Sequence, residues 1–137
     1  MEESWTDALV NPRSIEAFYG TPPKLEDFHL TELRLDERGP SFFFTGEFSQ
    51  FPDFPSPAWD DDAYSVRVEF TLSMVEEFEA KGRCAGVNVA LNIRRSDDGF
   101  GVEIRGVGES LEFFVKGMSL QLTGMEPQVV AKVRMNL

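Results

Sequence analysis

One cysteine and one histidine stand among the 137 residues, and that scarcity excludes more chemistry than any motif supplies. Cys84 has no second thiol for an internal disulfide, and Cys84 with His29 falls short of the four ligands of the usual zinc frameworks. A free thiol fits a reducing compartment. No apolar run approaches the roughly 20 residues of a membrane span. The first residues, Met1-Glu2-Glu3-Ser4, are acidic where a secretory leader would be basic and then apolar, so the cytoplasm is the expected location. Basic residues are few: 13 Lys and Arg against 24 Asp and Glu give a formal net charge of -11. Such a surface repels phosphate backbones and anionic lipid, which argues against nucleic acid or membrane as the partner and for a basic protein. Acidity of this kind also serves solubility alone.

Hydrophobic residues make up 42% of the chain, and 13 are Phe. That composition belongs to a folded chain rather than a disordered one, and the length suits a single domain, residues 1–137. The organising stretch runs from Asn88 to Met125. Val89, Leu91 and Ile93 alternate with smaller or polar neighbours, as do Val102 and Ile104, then Leu111, Phe113 and Val115, then Leu120 and Leu122. Breaks fall at Ser96-Asp97-Asp98-Gly99 and Gly106-Val107-Gly108-Glu109. Period-two alternation between Gly, Asp and Ser breaks marks half-buried antiparallel strands joined by hairpins, here a meander of three or four.

Ahead of it, Asn11-Pro12 offers an N-cap with proline at the first helical position, and Gly20 a stop. Ile15, Phe18 and Tyr19 share one face of that short helix, which must dock on the sheet. Phe28 with Leu30 and Leu33 with Leu35 form two alternating pairs whose register changes near Thr31-Glu32, as at a bulge or a boundary between strands. Ser41 to Phe48 carries apolar side chains on both faces at its start. It is either a central strand beneath the helix or the carrier of an exposed aromatic patch. Tyr64 to Leu72 has the clearest alternation, with Tyr64, Val66, Val68, Phe70 and Leu72 pointing inward. Ser73 to Lys81 fits a helical turn or an edge strand. Glu126-Pro127 should end regular pairing, leaving Gln128 to Leu137 as a short strand or a tail. The fold class expected is β-rich α+β: seven to nine strands in one antiparallel meander sheet, or in two packed or strongly bent sheets, with a short N-terminal helix.

Chemistry is sparse. His29 has no nucleophile elbow to serve. Gly99-Phe100-Gly101 and Gly106-Val107-Gly108 do not open a helix after a strand and suit hairpins rather than phosphate loops. Asp60-Asp61-Asp62 lacks the spacing of a calcium loop. Cys84, beside Arg83 only, is not marked as reactive. Neither catalysis, a metal nor a cofactor is expected. The exceptional segment is Gln50 to Tyr64, with Pro52, Pro55 and Pro57, Phe51, Phe54 and Trp59. Prolines forbid a regular element, and a long loop in a small domain is functional, disordered or anchored by its own aromatics. Aromatics beside charge make interface hot spots, so Asp53, Phe54, Trp59, Asp60, Asp61 and Asp62 are the candidate partner-binding residues. The alternative is a solvated connection whose aromatics tuck into the core.

Taken end to end, the chain resembles the Immunity protein 50 family of small bacterial proteins encoded beside polymorphic toxins. The likeness lies in Trp5 before a short helix, Phe18-Tyr19-Gly20 with Pro22-Pro23-Lys24-Leu25, and Leu33-Arg34-Leu35-Asp36-Glu37-Arg38-Gly39-Pro40. It continues through the Phe51 to Pro57 segment ahead of Val66-Arg67-Val68-Glu69-Phe70, and through Gly86-Val87-Asn88-Val89-Ala90-Leu91, spanning Trp5 to Met125. The resemblance implies a non-enzymatic inhibitor that binds a cognate toxin domain; it transfers no contact residue. A basic toxin such as a nuclease suits the charge. Two rivals follow from the residues: a small-ligand or carbohydrate-binding β module stacking on Trp59, betrayed by a deep apolar pocket, and a structural subunit pairing through its edges or the Phe42–Phe44 face.

Overall fold

The structure is a computed structural model that describes residues 4–37, 40–59, 61–82, 88–96, 99–106 and 111–128. Alternation becomes eight strands: β1 (Phe28–Asp36), β2 (Ser41–Glu47), β3 (Ser65–Ser73), β4 (Glu77–Lys81), β5 (Asn88–Ser96), β6 (Gly99–Gly106), β7 (Glu112–Gly117) and β8 (Ser119–Gln128). Among the described residues these strands pair antiparallel with their neighbours in one sheet, ordered β4-β7-β6-β5-β1-β2-β3-β8.

Two halves of that sheet meet at a narrow seam. β1 and β5 pair only through Phe28↔Val89 and His29↔Asn88. The sheet bends there, and the inner faces close on one core. Phe42 of β2 lies 5.8 Å from Phe78 of β4, although the two strands belong to opposite halves. The far ends are stitched together as well: the Met118 N–H donates to the Ser73 carbonyl (2.9 Å) and the Glu76 N–H to that of Lys116 (2.8 Å).

The expected meander of three or four strands has three. β5, β6 and β7 do follow one another as hairpins. β8 does not join them: only Met118 separates β7 from β8, yet β8 pairs with β3 at the other edge. A one-residue link spans the sheet because the bend has brought its edges together. Between Ser73 and Lys81 the chain makes the edge strand β4 rather than a helical turn, entered through Met74 at φ 55. Tyr64, expected inside, is 60% exposed, because it precedes β3 and its N–H bonds to the Gln128 carbonyl (3.0 Å). Nor does Glu126-Pro127 end pairing, since β8 continues to Gln128 opposite Ser65. β8 is an outermost strand, where the missing proline donor is tolerated. The expected tail beyond Gln128 lies outside the described residues.

The aromatic residues fill the space the bend encloses. Phe44 stacks on Phe70 at 4.9 Å, and Phe48 meets Phe28 and Tyr19 edge-on at 5.6 and 5.7 Å. Phe28, Phe42, Phe44 and Phe70 are fully buried, each worth about 2–3 kcal/mol of transfer free energy. Gly46 is needed in β2 because a Cβ there would collide with the Phe28 ring and the His29 carbonyl of β1. The irregularity near Thr31-Glu32 is a bulge inside one strand: register shifts between Leu30 and Glu32, and the Thr31 hydroxyl donates to the Thr45 carbonyl (3.1 Å). β2 is a central strand, as one of the two options required. The outward Phe43 is covered not by a helix but by the Arg34 guanidinium, 4.2 Å above its ring.

The N-terminal segment plugs the open side. A 3-10 turn (Trp5–Ala8), capped by the Ser4 hydroxyl and Asp7, precedes one helical turn, α1 (Arg13–Glu16). Ile15 and Tyr19 are buried as expected. Asn11 does something its sequence position did not announce. Its Nδ2 donates to the Leu122 carbonyl (2.9 Å) while its Oδ1 accepts from the Leu122 N–H (3.0 Å). With the Val10 N–H on the Leu120 carbonyl (2.9 Å), this clasp covers part of the β8 edge that would otherwise be open to pairing. Pro12 is left as the cap residue.

Candidate functional site

The segment from Gln50 to Tyr64 joins β2 to β3, and it is clipped to the chain between Phe18 and Lys24. The Tyr19 hydroxyl donates to the Gln50 carbonyl (3.0 Å), and the Lys24 N–H to the Gln50 side-chain oxygen (3.1 Å). The Gly20 N–H donates to Asp53 Oδ2 (2.9 Å), and the Phe54 N–H to the Phe18 carbonyl (3.0 Å). Trp59 stacks on Phe18 with ring centres 5.1 Å apart and planes 11° from parallel. Burial, and secondarily the Asp53 charge, hold the Tyr19 phenol well above its ordinary pKa of 10.0. It therefore remains a donor at any physiological pH.

These clips set what each candidate residue can offer a partner. Phe54 is 57% exposed, with its backbone fixed, and is a rigid apolar knob. Asp53 is exposed but has one oxygen committed to Gly20. Trp59 is half-buried against the core, so one face of its indole already belongs to Phe18. Asp61 and Asp62 are exposed, while Asp60 lies outside the described residues. The structure brings Asp53 and Phe54 together over Gly20. Two further exposed aromatics border the loop, Phe51 at 40% and Tyr64 at 60%. Sequence alternation had assigned Tyr64 to the core, and only the true start of β3 releases it. No Lys or Arg occurs between Gln50 and Tyr64, so the loop carries carboxylates without an internal counter-charge.

A family model for Immunity protein 50 matches residues 11–127. The chain belongs to the Immunity protein 50 family. The match opens at Asn11, the clasp residue, and closes at Pro127 in β8, so every pairing from β1 to β7 falls inside it. No curated protein and no solved structure matches the chain.

The lone histidine of this Immunity protein 50 member sits in the seam of the sheet. His29 Nδ1 lies 3.0 Å from Asn88 Oδ1 at the β1–β5 seam, and that contact ties the seam. Among the described residues no three His, Cys, Asp or Glu side chains are grouped for a metal ion, and no helix is long and apolar enough to cross a membrane. Three hollows among the described residues are open grooves of about 330–390 Å³ on the outer faces of the sheet.

Those two outer faces differ in charge, and cross-strand register shows how. On the β4-β7-β6-β5 half, Glu77 lies opposite Lys116, and Lys81 opposite Glu112, which in turn faces Arg105. Glu79, Glu103 and Arg94 complete a balanced lattice there. On the β1-β2-β3-β8 half, one row runs Glu47, Arg67, Glu126 and another Glu32, Thr45, Glu69. Asp36 and Arg34 add one charge of each sign. Among the described residues, Glu32, Glu47, Glu69 and Glu126 make no ion pair, whereas Glu103 and Glu76 on the other half do. Alternation alone put these residues outside, but only strand order shows that the surplus of negative charge shares one face.

Proposed function

We propose that this chain is an immunity protein that binds a cognate toxin domain in the cytoplasm of the producing bacterium and inhibits it by stoichiometric, non-catalytic occupation. Membership of the Immunity protein 50 family carries this reading. The clipped loop supports it physically. A contact patch binds more tightly when its knobs are ordered before the encounter, and hydrogen bonds and the Trp59 stack fix this loop in place. Phe54 is the apolar anchor, Trp59 its support, and Asp53, Asp60, Asp61 and Asp62 the charged surround that speeds approach to a basic toxin such as a nuclease. A carbohydrate or small-ligand module stacking on Trp59 has less in its favour, because one face of that indole is already stacked on Phe18.

The test is co-expression. The toxin domain encoded beside this chain is expected to stop growth alone and to be harmless with it, and the two should co-purify at one to one. Toxicity undiminished by an excess of the chain would overturn the proposal.

A further inference from the structure

We propose that two copies of this chain join through the free edge of β4, each β4 pairing antiparallel with the other about a two-fold axis at Glu79. Nothing in this pairing depends on the toxin.

Among the described residues the sheet has two outermost strands, and they are guarded differently. At β8 the Val10 N–H and the Asn11 side chain occupy Leu120 and Leu122, Thr123 is an extra residue where register shifts, and Pro127 has no N–H to offer. The described residues give β4 none of these devices. Its five residues, Glu77–Lys81, pair with β7 in unbroken register, include no proline and are all exposed. A regular strand with one side unpaired presents backbone donors and acceptors to any extended chain that can approach it.

The side chains of β4 select which chain that is. Glu77, Glu79 and Lys81 point to the outer face. Phe78 and Ala80 point to the inner one, where Phe78 lies 5.8 Å from Phe42 and 6.0 Å from Phe113. Charges on an edge keep other strands away unless they meet opposite charges. An antiparallel copy of β4 centred on Glu79 sets Glu77 opposite the partner's Lys81 on each side of the axis. Phe78, still 39% exposed, then lies opposite the partner's Ala80, a large side chain beside a small one. Glu79 meets its own counterpart at the axis, so two attractions stand against one repulsion. All five residues pair in this register; moving the axis to Phe78 or Ala80 leaves three. A uniformly basic strand would answer Glu77 and Glu79 but set like charge against Lys81. The net charge of -11 on each copy opposes approach, and physiological salt screens that repulsion beyond about 8 Å, so the dimer is a weak one.

Analytical ultracentrifugation of the whole chain at physiological salt, up to about 1 mM, reads the dimer. Lys81→Glu sets Glu against Glu in both outer pairs, and Glu77→Lys sets Lys against Lys. Each variant alone should dimerise about tenfold more weakly than the parent. Mixed in equal amounts, the two variants regain both attractions and should associate within about threefold of the parent. That rescue separates pairing from folding, because a variant whose β4 had come undone would not be restored by the other. Glu79→Gln removes the repulsion at the axis and should tighten the dimer about threefold. The β4 amides should exchange more slowly with deuterium as concentration rises. A parent that stays monomeric throughout, a mixture as weak as either variant alone, or a Glu79→Gln dimer weaker than the parent's would overturn the inference. So would β4 amides protected only when a toxin domain is added, since the edge would then belong to that partner.

Discussion

Replacing Phe54 and Trp59 by alanine, one at a time, separates the part of the loop that holds it from the part that serves a partner. Phe54 is 57% exposed, so less than half of its side chain is out of water. Full burial of a phenylalanine is worth about 1.5–3 kcal/mol, which leaves roughly 1 kcal/mol for Phe54→Ala as a loss of stability. Trp59 is half-buried and stacked on Phe18, and the stack adds about 0.5–1.5 kcal/mol beyond area. Trp59→Ala should therefore cost roughly 2–3 kcal/mol, short of the value for a fully buried ring. Binding should fall in the other order. An anchor seated in a partner pocket is worth about 2 kcal/mol or more, so on the proposed function Phe54→Ala should weaken binding of the toxin about thirtyfold. Trp59→Ala acts on binding only by loosening the loop and should have the smaller effect. Denaturant unfolding read beside surface-immobilised binding measures both quantities on one preparation. If Phe54→Ala binds within twofold of the parent, or unfolds as readily as Trp59→Ala, the division of labour is wrong.

Changing Asp60, Asp61 and Asp62 together to alanine should slow association about tenfold at low salt and flatten its salt dependence, with the unfolding midpoint little changed; stopped-flow mixing reads this directly. Asn11→Ala removes both bonds of the clasp and leaves the Leu122 amide without a partner, so stability should fall by about 1–2 kcal/mol and the Leu122 amide should exchange faster with deuterium. Tyr19 contributes an alkaline limb. Its pKa is higher folded than unfolded, so its contribution is complete below the ordinary value of 10.0 and is lost as pH rises above it, by up to about 1.4 kcal/mol per pH unit. Tyr19→Phe, compared at pH 9 and 11 in denaturant titrations, should lack that part of the slope.

Local physics made the strands legible and tertiary physics hid their partners. A period of two needs only near neighbours, so β3, β5 and β6 and the bulge near Thr31 could be read from the chain. That β8 leaves β7 for β3 could not, because Met118 carries no mark of the bend that brings the two sheet edges together. Asn11 looked like a helix cap, since a cap and a side-chain mimic of a strand use the same short amide; which one it becomes depends on Leu122, 111 residues away in sequence. In the loop, aromatics next to carboxylates announced a surface feature. The stack on Phe18, the bond from Gly20 to Asp53 and the release of Tyr64 required coordinates. The acidic face was the least legible of all, since its carboxylates sit on four strands and meet only through register.

The most direct measurement is titration calorimetry of the purified chain into the cognate toxin domain that the proposed function requires, with toxin activity assayed on the same samples. One site per toxin is expected, with an affinity that falls steeply as salt is raised and with activity extinguished at equivalence. No heat, or a toxin still fully active once saturated, would contradict the account.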